Sequence, residues 1–572
     1  MQSYFANLLH RWTSIIRKHV EHQLAARSWQ GICQGLYWEN WESASLSGKT
    51  GSSNKKIILY AVIGILAVAA VSVTLIPRGG APGSGDMVDN SKERAIARFE
   101  QQLCGHDAKA NSSAHVAEYV LPSECEMPLG IAVDSDRVWY VSTKQGTLGS
   151  YSLSDGKFEE FPVSSWPERL DPAGFSQVFA VKIDDQQENV WFTDDKSNLL
   201  WRFNKESGSF DKFVSPAKGP ISFDFDSSGN VYVVGVRSHS IFFGDLADMK
   251  PDTSEGFTEI KLPLDAFAGI SDNAINSGSI IVDDERNVVW TTVLSYQTIG
   301  QIFQYDIALK KVTATDLPEG LTSPVGTLLG DEGNLWLTDH GTSVFFMLDT
   351  SDGKISRYVT SFPSSRIFGG EAPPNAVSWP YWLQSDSESN IWFNQHAGNK
   401  IAKFNPGTET LTEYWIPTQN ADWGNCPEGA STCGIANVVQ FSVGSNDQVW
   451  FTEWSENKIG TVKDTSAPFS VYAPEEVTVG KGQSAEVKVD VSSQEGFTGT
   501  MIASGTFTHG GSLGNSTGIF SQESIEVGAE GTKQVSYVFT PADDLAAGQY
   551  TLMVGAENKD VAVLKAVRVN VV

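Results

Sequence analysis

The chain has 572 residues, too many for one ordinary core, so two or more domains are expected. Its 11% aromatic content, with 17 tryptophans, excludes a disordered polymer. A formal charge of −27 excludes a general nucleic-acid binder, because phosphate backbones call for lysine and arginine.

Residues 1–56 depart from that acidity. Arg11, Arg17, Lys18, Arg27, Lys49, Lys55 and Lys56 outweigh Glu21, Glu39 and Glu42. "IILYAVIGILAVAAVSVTLI" follows, residues 57–76, without a charge. A helix rising about 1.5 Å per residue would cross a hydrocarbon core of about 30 Å over that length. Lys55 and Lys56 stand immediately before it, so the positive-inside rule puts 1–56 in the cytoplasm and the remainder outside. The apolar run is too long and too far from Met1 for a cleaved signal peptide. A single-pass anchor in the cell membrane is therefore expected.

Residues 77–113 read as a stalk. "PRGGAPGSGDMVDN" is rich in glycine and proline, and Ile96, Phe99 and Leu103 predict a short helix with Ser91 at its N-cap. Cys33 stands alone on the cytoplasmic side. Cys104, Cys125, Cys426 and Cys433 lie in the outer part, where an oxidising compartment favours two disulfides. Three pairings are formally open, and proximity favours Cys104–Cys125 with Cys426–Cys433. Asn111 and Asn515 begin glycosylation sequons.

From about residue 130 to 463 one pattern recurs. Trp139, Trp191, Tyr232, Trp290, Trp336, Trp392 and Trp450 each sit in a strand-like segment such as "ENVWFTDD" or "SNIWFNQH". An apolar segment ending in Asp, Ser or Gly precedes each. A bend and two further alternating segments follow. Period-two alternation with turn chemistry between segments signals short antiparallel strands, and four strands per repeat make a β-propeller. The seventh repeat lacks a good fourth strand after "KIGTVKD". "AHVAEYVLP" at 114–122 matches "LTEYWIP" at 411–417, so it is expected as the outer strand of the last blade. The predicted propeller spans 114–465, seven blades closed by this N-terminal strand.

Beyond residue 468 there is no tryptophan. "VTVGKGQSAEVKVDVS" and "AVLKAVRVNVV" alternate between turns, which predicts an immunoglobulin-like β-sandwich over 469–572. Such a domain suits spacing or contact with other cell-surface proteins.

Function is expected at the central mouth. The turn after each second strand opens there, and the residue four beyond each repeat aromatic marks it: Thr143, Asp195, Val236, Leu294, His340, His396 and Trp454. His340 and His396 come from adjacent blades, with Asp195 across the mouth. Two histidines and a carboxylate could ligate a metal or move protons. Asp194, Asp339 and Glu453, one residue earlier, should point elsewhere. The long connections 364–382 and 418–434 should overhang this rim, and Trp379, Trp382 and Trp423 could stack on a ligand.

"WFTEWSENKIG", "WFNQHAGNKIAKFNPGTETLTEYWIP" and "WFTDDKSNLLWRFN" resemble the repeats of the virginiamycin B lyase (streptogramin lyase) family over residues 115–463. The resemblance implies a seven-bladed propeller with its site at the mouth. It implies a magnesium-dependent elimination that opens a cyclic depsipeptide, using histidines in Pro-His-Gly or Pro-His-Ala segments and a glutamate at a second-strand turn. Here those segments read "MPLGI", "SPVGT" and "WPYWL", so Leu129, Val325 and Tyr381 stand where histidines would be. At the glutamate's turn stand Trp454, His340 and His396.

Two functions follow. One is a membrane-anchored extracytoplasmic protein that binds a small ligand or peptide at the mouth. The other is a metal-dependent lyase or lactone-opening hydrolase using His340 and His396, with a divalent ion such as magnesium.

Overall fold

A computed structural model describes residues 109–164, 166, 177–184, 186–361, 377–418, 436–508 and 515–572. The segment 1–56 predicted to be cytoplasmic, the apolar run 57–76 and the predicted helix near Ile96 lie outside them. No helix among the described residues is long and apolar enough to cross a membrane.

Their regular structure is almost all strand, with three short 3-10 helices. Seven sheets among them repeat one plan, with consecutive strands antiparallel and side by side. Blade one spans 128–162, two 181–214, three 220–261, four 276–316, five 324–359 and six 380–415. Blade seven has three strands of its own over 441–462. Its fourth is Val116–Val120, which pairs with Lys458–Val462, Val116 facing Val462 and Val120 facing Lys458. The first strand of blade one touches both Val181–Ile183 of blade two and Phe441–Val443 of blade seven.

The repeat aromatic has a physical reason. Its strand is covered on both faces, so Ile391–Gln395 and Val449–Glu453 are buried throughout, whereas the outer strand Lys311–Asp316 is mostly exposed. The indole reaches across to the next blade. Trp139 lies 5.7 Å from Phe203, Trp191 5.6 Å from Phe225, Trp336 5.6 Å from Phe404, and Trp450 5.4 Å from Tyr151. Several of the aromatics are also tethered from behind. Trp139 Nε1–H donates to Asp134 and Trp392 Nε1–H to Asp386, each at 2.8 Å, and the Tyr232 hydroxyl donates to Asp226 at 3.2 Å. The same aspartates accept backbone N–H groups of the turn that follows them.

Asparagines at the bends join one blade to the next. Asn399 and Asn457 have φ of 54° and 55°, a left-handed conformation that asparagine tolerates. Asn399 donates to the carbonyls of Ile416 and Thr418 and accepts from Ala436 N. Asn457 accepts from Glu126 N and donates to Ser123 O.

Blades six and seven each hold a buried ion pair. Lys400 Nζ lies 3.1 Å from Glu413, and Lys458 Nζ lies 3.2 Å from Glu118, all four side chains being 0% exposed. Ser361 and Thr418 hydroxyls donate to the two carboxylates, and the Lys400 ammonium also lies over the Trp415 ring at 4.4 Å. The match between 114–122 and 411–417 is thus a match of environments. Glu118 faces Gly460 as Glu413 faces Ala402.

The segment after residue 468 forms two sheets, but it is not a free-standing spacer. Its last strand, Val561–Val571, pairs with Thr410–Trp415 of blade six, and this joins blade six and one sheet of the sandwich into nine strands. Tyr414 and Phe451 share a core with Phe469, Val487, Phe539 and Val567. The strands alternate as the sequence predicts. The pairing partner was not legible, because an alternating edge strand specifies a face and not a neighbour.

Two outcomes test this architecture. Lys400→Met leaves Glu413 buried without its cation and should lower the denaturant-measured stability by roughly 3–5 kcal/mol, while Lys400→Met with Glu413→Leu recovers most of it. Calorimetry should show propeller and sandwich unfolding in one transition. A separate sandwich transition would contradict the shared core.

Candidate functional site

The turn residues His340 and His396 follow Leu335–Asp339 and Ile391–Gln395, at equal positions of adjacent blades. Their backbone N–H groups donate to the incoming connectors, His340 to Ser323 O at 2.8 Å and His396 to Trp379 O at 3.0 Å. The strands thereby bring the two imidazoles together. Their centroids are 6.0 Å apart and their planes differ by 7°.

Aromatic rings surround this pair. Tyr381 lies 4.3 Å from His340, and Trp379 lies 5.7 Å from His340 and 5.8 Å from His396. Tyr296, from blade four, meets His340 edge-on at 6.5 Å. Phe179, at the entry to blade two, reaches Tyr381 at 6.2 Å and Trp382 at 6.4 Å. The Phe179 carbonyl accepts from Gln440 of blade seven, so blades two, four, five, six and seven all contribute. Trp379 holds φ 50° immediately before Pro380. A residue before proline prefers extended backbone, so this conformation is strained and fixed by its surroundings. Met127, before Pro128, has the same sign of φ.

Hydrogen bonds orient the rings. His340 Nδ1–H donates to Pro380 O at 3.4 Å. His396 Nε2–H donates to Asn437 Oδ1, and Asn437 O accepts Trp454 N–H at 3.3 Å. The other nitrogen of His396, Nδ1, is buried and has no hydrogen-bond partner among the described residues. His340 is 7% exposed and His396 5%. Burial lowers His396 to about 4, and burial with the neighbouring His396 lowers His340 to about 3. Both rings are neutral at pH 7.

The other expected residues distribute as follows. Tyr381, which stands where the family resemblance places a histidine, sits directly against His340. Trp454 hydrogen-bonds Thr143 at 3.4 Å, and its backbone N–H donates to Asn437 O, the residue that holds His396. Asp195 does not join the histidines. Its carboxylate accepts Gln177 N–H at 2.6 Å within its own blade, and burial pushes it up to about 7. Asp339 turns away as strand alternation requires, accepting the N–H groups of Thr322, Ser323 and Gly341. Trp423, Cys104, Cys426 and Cys433 lie outside the described residues. Cys125 is disulfide-bonded. Asn111 is half-buried and donates to Thr418, whereas Asn515 is exposed.

Tyr296, Phe179 and Asn437 were not singled out by sequence. Asn437 had a signal: it replaces the proline-bearing connector of other blades and takes φ 58°. Among the described residues no three His, Cys, Asp or Glu side chains gather as a metal-binding set. Magnesium prefers oxygen ligands, and this cluster offers imidazole nitrogens among aromatic rings, so the implied ion does not fit.

No protein-family model matches the chain, and no curated protein sequence does. Solved structures similar to it include virginiamycin B lyase from Staphylococcus aureus, 20% identical, covering 60% of this chain and 98% of that one, with a TM-score of 0.46. A streptogramin B lyase structure is 21% identical over 61% and 99%, with a TM-score of 0.45. A calcium-binding protein, regucalcin, from Agrobacterium tumefaciens is 11% identical over 50% and 89%, with a TM-score of 0.34. These likenesses concern the fold alone.

The lowered imidazoles predict a pH effect. A base depressed in the folded state stabilises it fully above the unfolded value of 6.5 and loses that contribution as pH falls toward 4. Glu126 and Asp195, both pushed up to about 7, act in the opposite sense, so a difference measurement is needed. Wild type should lose stability relative to His396→Phe as pH drops from 6.5 toward 4. A gap independent of pH would show that this imidazole is not held neutral.

Proposed function

We propose that this chain is a membrane-anchored, extracytoplasmic propeller that binds a small ligand or peptide at the mouth of the ring, against His340, His396, Trp379 and Tyr381. The seven sheets form the closed scaffold, the segment 57–76 is the anchor, and the sandwich, of immunoglobulin-like type, braces blade six. The observation that carries the reading is the buried, unpartnered Nδ1 of His396, held in a neutral imidazole among aromatic rings. Leaving such a group unsatisfied costs about 1–3 kcal/mol, and a ligand N–H or O–H would recover it. Flat apolar groups would stack on Trp379 and Tyr381. The ligand class is therefore a small molecule or short peptide that joins an aromatic group to a hydrogen-bond donor.

Calorimetric titration of the full chain with N-acetylated aromatic dipeptide amides tests this. Binding by wild type should weaken by about tenfold or more in His396→Phe, which keeps the ring and removes the acceptor. Equal binding by both forms would sink the proposal. Turnover of a cyclic depsipeptide by wild type, lost in His396→Ala, would favour the lyase instead.

A further inference from the structure

Blade one carries the frame of the buried ion pairs of blades six and seven, with one occupant changed. Thr147 opens its third strand opposite Ser142, as Lys400 does opposite Gln395 and Lys458 opposite Glu453. Glu160 faces Gly149, as Glu413 faces Ala402 and Glu118 faces Gly460. Ser123 lies 3.4 Å from Glu160, in the role of Ser361 and Thr418. The carboxylate and its hydroxyl partner are kept. The ammonium is not.

A second carboxyl stands there instead. Glu126 is 0% exposed and accepts from Ser123 N–H at 2.9 Å and from the Ser142 hydroxyl. Blade seven also has a second carboxyl, Glu453, but it retains Lys458. Blade one alone of the three sets two carboxyls together without a lysine.

Two hydroxyls lie on the same face of the sheet. Tyr140 Oη and Thr147 Oγ1 are buried with no hydrogen-bond partner among the described residues, and Tyr140 is 0% exposed. Tyr140 is in register with Gly149, and a Cβ on that glycine would come within 2.6 Å of the Tyr140 hydroxyl. The ring end therefore lies across Gly149, toward the next strand, where Glu160 is Gly149's partner. Blades six and seven have Phe393 and Phe451 in this row, without the oxygen. Burial, then the charges of Glu126 and Glu160, push the Tyr140 phenol up, which places it in their field.

We infer that blade one binds a calcium ion between Glu126 and Glu160, with the Tyr140 and Thr147 hydroxyls as neutral ligands, where blades six and seven hold a lysine ammonium. An all-oxygen set of irregular geometry suits calcium. Magnesium demands a near-ideal octahedron, and zinc prefers nitrogen and sulfur. Glu160 is exposed, which leaves a path for the ion and room for water.

The full chain, stripped with chelator, is titrated with calcium chloride, with magnesium chloride and with sodium chloride at matched ionic strength. Melting temperature and sensitised terbium luminescence are followed. Calcium should raise the melting temperature, and the other two salts should not match it. Glu160→Gln, at an exposed position, should weaken calcium binding by about tenfold or more. Thr147→Lys installs the missing ammonium and should melt at least as high as calcium-loaded wild type, with no further response to calcium. A wild type indifferent to calcium, an equal response to magnesium or sodium, or unchanged affinity in Glu160→Gln would each overturn the site. If Thr147→Lys does not fold, Glu160→Gln decides alone.

Discussion

Each blade must cover the inner face of its neighbour, and the aromatic of the second strand does most of that work. An indole is large enough to bridge two twisted sheets about 10 Å apart, and its N–H gives it a fixed anchor. Trp139 shows both halves of the device. Its ring rests on Phe203 of the next blade while Asp134 holds its nitrogen. Because Asp134 also caps the turn before the strand, turn, strand and interface form as one unit. Repeating the unit sets like sheets side by side and brings equal positions of consecutive blades together.

Polar groups inside this packing are then under strict control. A carboxylate between blades is tolerated only with partners, since burial of an unpaired charge is costly. Blades six and seven meet the requirement with Lys400 and Lys458. Asp339 meets it with three backbone N–H groups, two from the connector to its own blade and one from the turn that follows it. The turns of blades five and six meet it differently, by keeping His340 and His396 uncharged among aromatic rings. The strain at Trp379 fits that picture, because its left-handed backbone turns the indole onto both imidazoles. Lys400, Glu413, Lys458 and Glu118 are thus paired by charge, Asp339 is held by hydrogen bonds, and His340 and His396 are kept without charge.

The sandwich obeys the same constraint at the rim. The outer strand of a blade has an unpaired edge, and Thr410–Trp415 gives its edge to Val561–Val571. Arg568 beyond it pairs with Glu409 at 3.2 Å, and the Thr506 hydroxyl donates to Thr360 O at 3.0 Å. The C-terminal domain is thereby held against blades five and six by backbone, charge and core together.

Much of this was legible in the chain itself. Seven aromatic strands, their bend asparagines and the likeness of 114–122 to 411–417 are local patterns of period two, and local patterns survive without knowledge of contacts. The adjacency of His340 and His396 also followed, since equal positions in consecutive repeats must be neighbours. Tertiary structure alone decided the rest. It turned Asp195 into its own blade, seated Tyr381 on His340, recruited Phe179 and Tyr296 from distant blades, and joined Val561–Val571 to blade six. Those outcomes depend on side-chain direction and on pairing between residues far apart in sequence, and neither leaves a periodic trace.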